Sequence, residues 1–198
     1  MASELIRRRP GGFDIRPARG VATAVADDVW LSEGLSNSYL IATSSGRVVI
    51  NTGMGFEGPA HRAAYDAVSA GRISHVIFTQ GHVDHVGGAG EFVDDETEVV
   101  AHAANLECQA DDARIHRFRV RRSAIFWAEA VSAADDFFRA QPDGAPAPAQ
   151  AAPTPTLTFD DQLVLSVGDR QLELLSVPGG ETIDSLVVWL PQSRVAFI

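Results

Sequence analysis

Between Thr79 and Gly88 the chain reads TQGHVDHVGG, placing two histidines and an aspartate within four residues. Imidazole nitrogen and carboxylate oxygen are ligands for zinc, iron or manganese. His82, Asp84 and His85 are dense enough on a loop to converge on one or two ions, and Val83 between them can turn into the core. Gly87 and Gly88 let the chain turn closely and begin a helix, whose N-terminal end favours a nearby anion. The same residues can be read as a capped loop with surface histidines; the apolar run before them and the glycines after them weigh against that. Gln80, two positions before His82, carries a neutral amide, a weak metal ligand beside imidazole.

A loop of this kind needs a strand behind it. Ile73 to Thr79 is a short apolar run of the length of a buried strand. A helix over roughly Gly58–Ala70 precedes it, with Tyr65 and Val68 on one side and Gly71 as its stop. Another strand, Glu98–His102, follows. The local frame is therefore β-α-β with a polar loop at a strand's C-terminal end, where α/β proteins tend to keep their chemistry. Upstream, Val21–Leu31, Asn37–Thr43 and Arg47–Asn51 read as strands, punctuated by SEG and SSG.

Downstream, Arg114–Ala140 reads as one long helix, with Trp127, Val131, Ala134 and Phe138 on a single apolar face. Arg114, Arg117, Arg119, Arg121 and Arg122 crowd its first part. They read as a solvated face paired with the protein's acids, or as an anion-binding or partner-binding patch. Gln141–Thr156 contains five prolines and reads as an exposed connector, a candidate mobile flap. Leu157–Ile198 returns to strands.

Composition bounds the chemistry. A chain of 198 residues suffices for one domain or for part of a larger one. The net charge of −10 argues against a nucleic-acid partner. All 16 basic residues are arginine, which excludes Schiff-base and phosphate-loop lysines. Cys108 is alone, which excludes an internal disulfide and a multi-cysteine metal cluster; it reads as a small packed residue. The Arg7–Arg9 triplet lacks the apolar run of a secretory signal, and no stretch approaches a membrane span; the expectation is a cytoplasmic protein with a small-molecule substrate and no membrane partner. There is no Gly-x-Ser-x-Gly elbow for serine-hydrolase chemistry. His75 and His116 are not expected as ligands. His102 ends a strand near the loop and is a candidate for orienting a ligand or lining the pocket. His61 is expected on the surface of its helix.

Three ordered stretches resemble the metallo-β-lactamase fold superfamily: NSYLI with VVINTGM, the TQGHVDHVGG loop, and LLSVPGGETIDSLVVWLP. The resemblance runs from Val21 to Ile198. It implies an α/β (α+β) fold, the N-terminal half of an αββα sandwich, with an arm over 1–20 and a partial domain over 21–198 that includes the 141–156 connector. It implies one metal position served by His82 and a second served by Asp84 and His85, with zinc the first expectation and iron or manganese the alternatives. Departures from the family pattern are Gln80 at its first histidine, Asn51 at a usual aspartate beside the ligands, and Gly180 at the histidine of its PGH turn. Glu181, next to Gly180, resembles the glutamate that binds metal in the alkylsulfatase-like branch, so it would join His82 at the first position; a solvent-facing turn residue is the alternative. Asp184 is a weaker ligand candidate, or a turn cap with Thr182 and Ser185.

The activity so implied is a metal-dependent hydrolase using metal-bound hydroxide on an ester-type substrate, whether sulfate ester, thioester or lactone, with Asp84 also orienting the hydroxide. An iron-dependent redox enzyme and a non-catalytic binding module on the same fold are the alternatives. The apolar RVAFI at the end of the chain and the family's further ligands beyond that strand suggest a longer protein, a homo-oligomer or a second half that covers an otherwise exposed inner sheet face.

Overall fold

The structure, a computed structural model, describes residues 15–140 and 149–198. It opens on a hairpin, β1 (Thr23–Ala26) and β2 (Val29–Ser32). One strand was expected there. Asp28 sits in the left-handed region at φ 59° and reverses the chain, a conformation that aspartate tolerates better than most residues. β3 (Ser38–Thr43) and β4 (Gly46–Ile50) continue the antiparallel run. Helix α1 (Gly58–Asp66) then crosses to β5 (Ile73–Ile77), which lies parallel to β4. The loop leads into the single-turn α2 (Val83–Val86) and a 3-10 turn over Gly87–Glu91. β6 (Glu98–His102) and β7 (Leu157–Phe159) extend the parallel edge. β1 to β7 thus form one seven-stranded sheet in sequence order.

Between β6 and β7 lie three helices, α3 (Asn105–Arg114), α4 (His116–Phe126) and α5 (Ala128–Arg139); the long helix expected over Arg114–Ala140 is divided into the last two and set off from the first. Two side-chain attachments account for the breaks. Seven residues of continuous helix separate Asp112 from Arg119 by ~10.5 Å along the axis; the break at Ile115 lets them form an ion pair. The break at Trp127, whose φ of −124° is non-helical, lets α5 set Phe137 and Phe138 against Phe56, with ring centroids 5.5 and 4.9 Å away. The expected apolar face does not bury as a unit: Trp127, Val131 and Phe138 all stay exposed.

The remaining strands, β8 (Gln162–Val167), β9 (Arg170–Ser176), β10 (Leu186–Leu190) and β11 (Val195–Phe197), make an antiparallel sheet in the order β11-β10-β9-β8. Alternation along β9 sends Leu172 and Leu174 inward and leaves Glu173 and Leu175 on the other face. The inward residues meet Ile41, Val48, Ile50, Ile77 and Val100 of the large sheet. The inner face expected to lie exposed is therefore covered by β8–β11. The opposite face of the large sheet packs Leu40, Val49, Val76 and Phe78 under Tyr65 of α1 and Val86, Ala89 and Phe92 of the loop region. Residues 141–148 of the connector lie outside the described residues, as do residues 1–14 of the arm. The rest of the connector is strapped down rather than free: Ala151 N donates to Gly87 O and Thr156 N to Val99 O. Among the described residues no helix is long and apolar enough to cross a membrane.

Candidate functional site

The buried end of β5 carries Thr79, Gln80, Gly81 and His82 beyond the sheet edge. Backbone bonds then fix the loop against β4: Thr52 N donates to His85 O at 2.8 Å and Gly88 N to Gly53 O at 3.0 Å. Gly88 is needed for that approach, because a Cβ there would collide with the Thr52 carbonyl. A third bond, Leu186 N to Thr79 O at 2.9 Å, joins the loop to the start of β10. It draws in the turn over 178–185, which carries Glu181.

Four of the sequence-predicted residues converge here. His82 Nδ1 lies 3.6 Å from Glu181 Oε1, and His85 Nε2 lies 3.6 Å from Asp84 Oδ2. Gln80 stands between the pairs: its Nε2 donates to Glu181 Oε2 at 2.9 Å and lies 2.9 Å from His85 Nε2. That contact makes His85 Nε2 the acceptor, which puts the ring proton on Nδ1, 3.4 Å from Thr79 Oγ1. Asn51 holds Thr79 in turn, Nδ2 donating to Thr79 Oγ1 and Oδ1 accepting from Thr79 N, both at 2.9 Å. Asn51 itself bends the chain at φ 56°. It reaches His85 only through Thr79.

Burial favours the neutral form of both imidazoles. The His82 pKa is lowered by burial first and by the Arg119 guanidinium second, against the pull of Asp84 and Glu181. That of His85 is lowered chiefly by burial, against the same two carboxylates. A neutral imidazole with its Nε2 lone pair facing the cluster, as at His85, suits metal binding. The spacing suits it as well: tetrahedral bonds of ~2.0–2.2 Å set donors roughly 3.3–3.6 Å apart, the separation seen within each pair. The fit is pairwise. Among the described residues no three histidine, cysteine, aspartate or glutamate side chains gather into a single metal-holding group, and Gln80 Oε1 is buried with no hydrogen-bond partner.

The other candidates have structural roles. Both His102 nitrogens are used, Nε2 on Asp160 O at 2.9 Å and Nδ1 by Ala104 N at 3.1 Å. Asp184 is fully buried and accepts from Thr182 Oγ1 at 2.7 Å and Asn105 Nδ2 at 2.8 Å, anchoring the Glu181 turn to α3. Cys108 is buried as expected. His61 corrects the surface expectation: it is fully buried, with Nδ1 2.7 Å from Ser32 Oγ. The side of α1 that carries it turns towards the β2 end of the sheet, a direction that helical periodicity alone does not give. Glu57 beside it accepts backbone N–H groups from Ala18, Leu35 and Met54.

Sequence reasoning missed Thr79, Asp112 and Gln150. Asp112 Oδ2 accepts from Val83 N at 3.2 Å, which caps α2. Gln150 bridges Gly55 N and Val83 O from within the proline-rich connector, where no pattern distinguishes one polar residue from another. A cavity of about 900 Å³ lies between the 16–20 segment and α5, and none of its lining residues belongs to the cluster.

The pattern that defines the metallo-beta-lactamase superfamily matches residues 31–198, and the chain belongs to that superfamily. Over 194 residues it is 29% identical to the acyl-coenzyme A thioesterase MBLAC2 of Bos taurus, covering 81% of this chain and 63% of that protein. Among solved structures it is similar to the sec-alkylsulfatase Pisa1 from Pseudomonas sp., at 20% identity and a TM-score of 0.62 over 87% of this chain and 30% of that one. The metallo-beta-lactamase GOB-18 from Elizabethkingia meningoseptica aligns at 20% identity and a TM-score of 0.61 over 92% of this chain and 59% of its own. The chain spans less than two thirds of the length of each of these proteins.

Proposed function

We propose that the chain carries the metal-binding loop of a hydrolase that cleaves acyl thioesters. The observation that supports this most is the meeting of His82, Asp84, His85 and Glu181 at the end of β5, drawn from two sheets. The thioester comes from the bovine relative, whose name states that activity; the alkylsulfatase likeness, at 20% identity, speaks for the fold alone. His82 and Glu181 would hold one divalent ion and Asp84 and His85 another, with zinc the first expectation. A bound ion supplies Lewis acidity to the substrate carbonyl and lowers the pKa of a coordinated water towards neutrality.

The chain's own groups do the rest. Thr79 and Asn51 hold His85 in the tautomer that presents Nε2. Asp84 remains partly open to solvent and would orient the attacking water. Attack at the acyl carbon breaks the C–S bond and yields a carboxylic acid and a thiol. Elemental analysis of the zinc-loaded chain, with thiol release from an acyl thioester, tests the reading. His82→Ala and His85→Ala are expected to lose bound metal together with turnover. Unchanged metal content in both variants would favour a non-catalytic binding module, and oxygen uptake coupled to turnover would favour redox chemistry.

A further inference from the structure

Helix α4 has no buried residue along its whole length. Phe118 and Ile125 are 64% and 75% exposed, an unusual cost for large apolar side chains on a helix that adjoins an active-site loop. They alternate with arginines. Phe118, Arg121, Arg122 and Ile125 follow one another at spacings of three, four and seven from the first, which places them on one side of the helix. No acidic residue occurs from His116 to Ala128. Arg119 turns inward to Asp112, while Arg117, Arg121 and Arg122 have no acidic partner among the described residues. On a chain of net charge −10, this is a concentrated cationic strip interleaved with flat apolar groups. Asp112 accepts from Val83 N of the loop as well as pairing with Arg119, so the strip is tied to the His82–His85 loop by one residue.

We propose that the outward face of α4 binds the phosphorylated adenine nucleotide of a coenzyme A thioester, with Arg121 and Arg122 on the phosphates and Phe118 against the base. This rests on the thioesterase reading above. Guanidinium forks match phosphate oxygens in charge and geometry, and a ring between them supplies the surface on which a purine stacks. A bare anionic lipid surface would satisfy the charge, but it gives no reason for the attachment of the strip to the catalytic loop.

The test uses free coenzyme A, which cannot be hydrolysed, titrated calorimetrically into the full zinc-loaded chain. The Arg121→Gln/Arg122→Gln double variant is expected to bind it on the order of ten-fold more weakly, with a flatter salt dependence. Phe118→Ala is expected to weaken coenzyme A while leaving inorganic pyrophosphate unchanged, and pantetheine, which lacks the nucleotide, should bind the double variant and the parent alike. Arg62→Gln, which removes one charge elsewhere, and far-UV circular dichroism control for net charge and folding. Equal affinity of parent and double variant for coenzyme A overturns the proposal, as does an absence of coenzyme A binding by the parent. Loss of binding to phosphatidylserine vesicles in the double variant, with coenzyme A affinity intact, overturns it in favour of a lipid surface. Turnover of an acyl-pantetheine thioester is followed in parallel. Its absence alongside arginine-dependent coenzyme A binding would sink the thioesterase reading and leave the docking face standing.

Discussion

At the residue scale, the unusual position is Gln80. Its amide donates to His85 and Glu181 together, so it satisfies two acceptors that a cation would otherwise satisfy. An imidazole there would instead offer a lone pair. Gln80→His is therefore expected to tighten zinc binding on the order of ten-fold, read by competition with a chromophoric chelator; unchanged affinity would mean that this side chain does not face the ion. His61 gives a separate prediction away from the site. Burial lowers its pKa from 6.5 to about 4. Above pH 6.5 the ring is neutral whether the chain is folded or not, and its contribution is constant. As pH falls from 6.5 to about 4, the unfolded chain takes up a proton that the folded one refuses, so stability declines, by roughly 3 kcal/mol at most. Below about pH 4 both states are protonated and the decline stops. His61→Gln cannot titrate, so urea unfolding of parent and variant should show a stability difference that changes across that window and is flat outside it. The approach of His82, Asp84, His85 and Glu181 to one another was legible from residue types in a recognisable order. The depth of His61 was not, because it depends on which way α1 faces.

At the scale of elements, strands were readable and helix breaks were not. Alternating or wholly apolar runs fix where β3 to β6 lie to within a residue or two. The breaks at Ile115 and Trp127 come instead from tertiary attachments, Arg119 to Asp112 and Phe137 and Phe138 to Phe56, which have no local sequence signal. The loop after β5 illustrates the opposite case, where one residue type carries a tertiary requirement visibly. Gly87 and Gly88 stand in the sequence as turn formers, and Gly88 is also the point at which the loop backbone lies against Thr52. Gly88→Ala places a methyl group against the Thr52 carbonyl and must push the loop off β4. A loss of about 1–3 kcal/mol is expected, measured by thermal denaturation, together with weaker zinc retention, because His85 O is held by the same Thr52. A variant that lost stability but kept its zinc affinity would show that the His82–His85 geometry does not depend on this contact. The connector is the least legible element: its prolines announce an absence of regular structure, while Gln150 and Ala151 within it tie down the His82–His85 loop.

At the scale of the molecule, the site exists only because two sheets are held together. The loop belongs to the large sheet and Glu181 to the turn before β10. Between them lie the Leu186–Thr79 backbone bond and a shared apolar core to which Val29, Ile41, Val48, Ile50, Ile77, Val100 and Phe159 contribute from one sheet and Val167, Leu172, Leu174, Leu186, Val188, Leu190 and Phe197 from the other. Neither sheet can leave without exposing its half of that core, and each buried aliphatic side chain is worth about 1.5–3 kcal/mol against exposure. That exceeds what the individual hydrogen bonds across the junction supply, at roughly 1 kcal/mol each. The two sheets should therefore unfold as one unit. Trp30 on β2 and Trp189 on β10 report on them separately once the other tryptophans, Trp127 included, are replaced by phenylalanine. Fluorescence-detected urea unfolding of the two single-tryptophan variants, each referred to far-UV circular dichroism of the same sample, is expected to coincide with it in midpoint and slope. Leu174→Ala, placed in each background, should lower the midpoint seen by both probes by the same amount, equivalent to about 2–5 kcal/mol. A tryptophan transition displaced from the circular dichroism signal, or a Leu174→Ala shift felt at Trp189 and not at Trp30, would mean that the sheets melt independently. Glu181 would then part from His82 before the large sheet is lost, and the proposed metal positions would fail ahead of the fold.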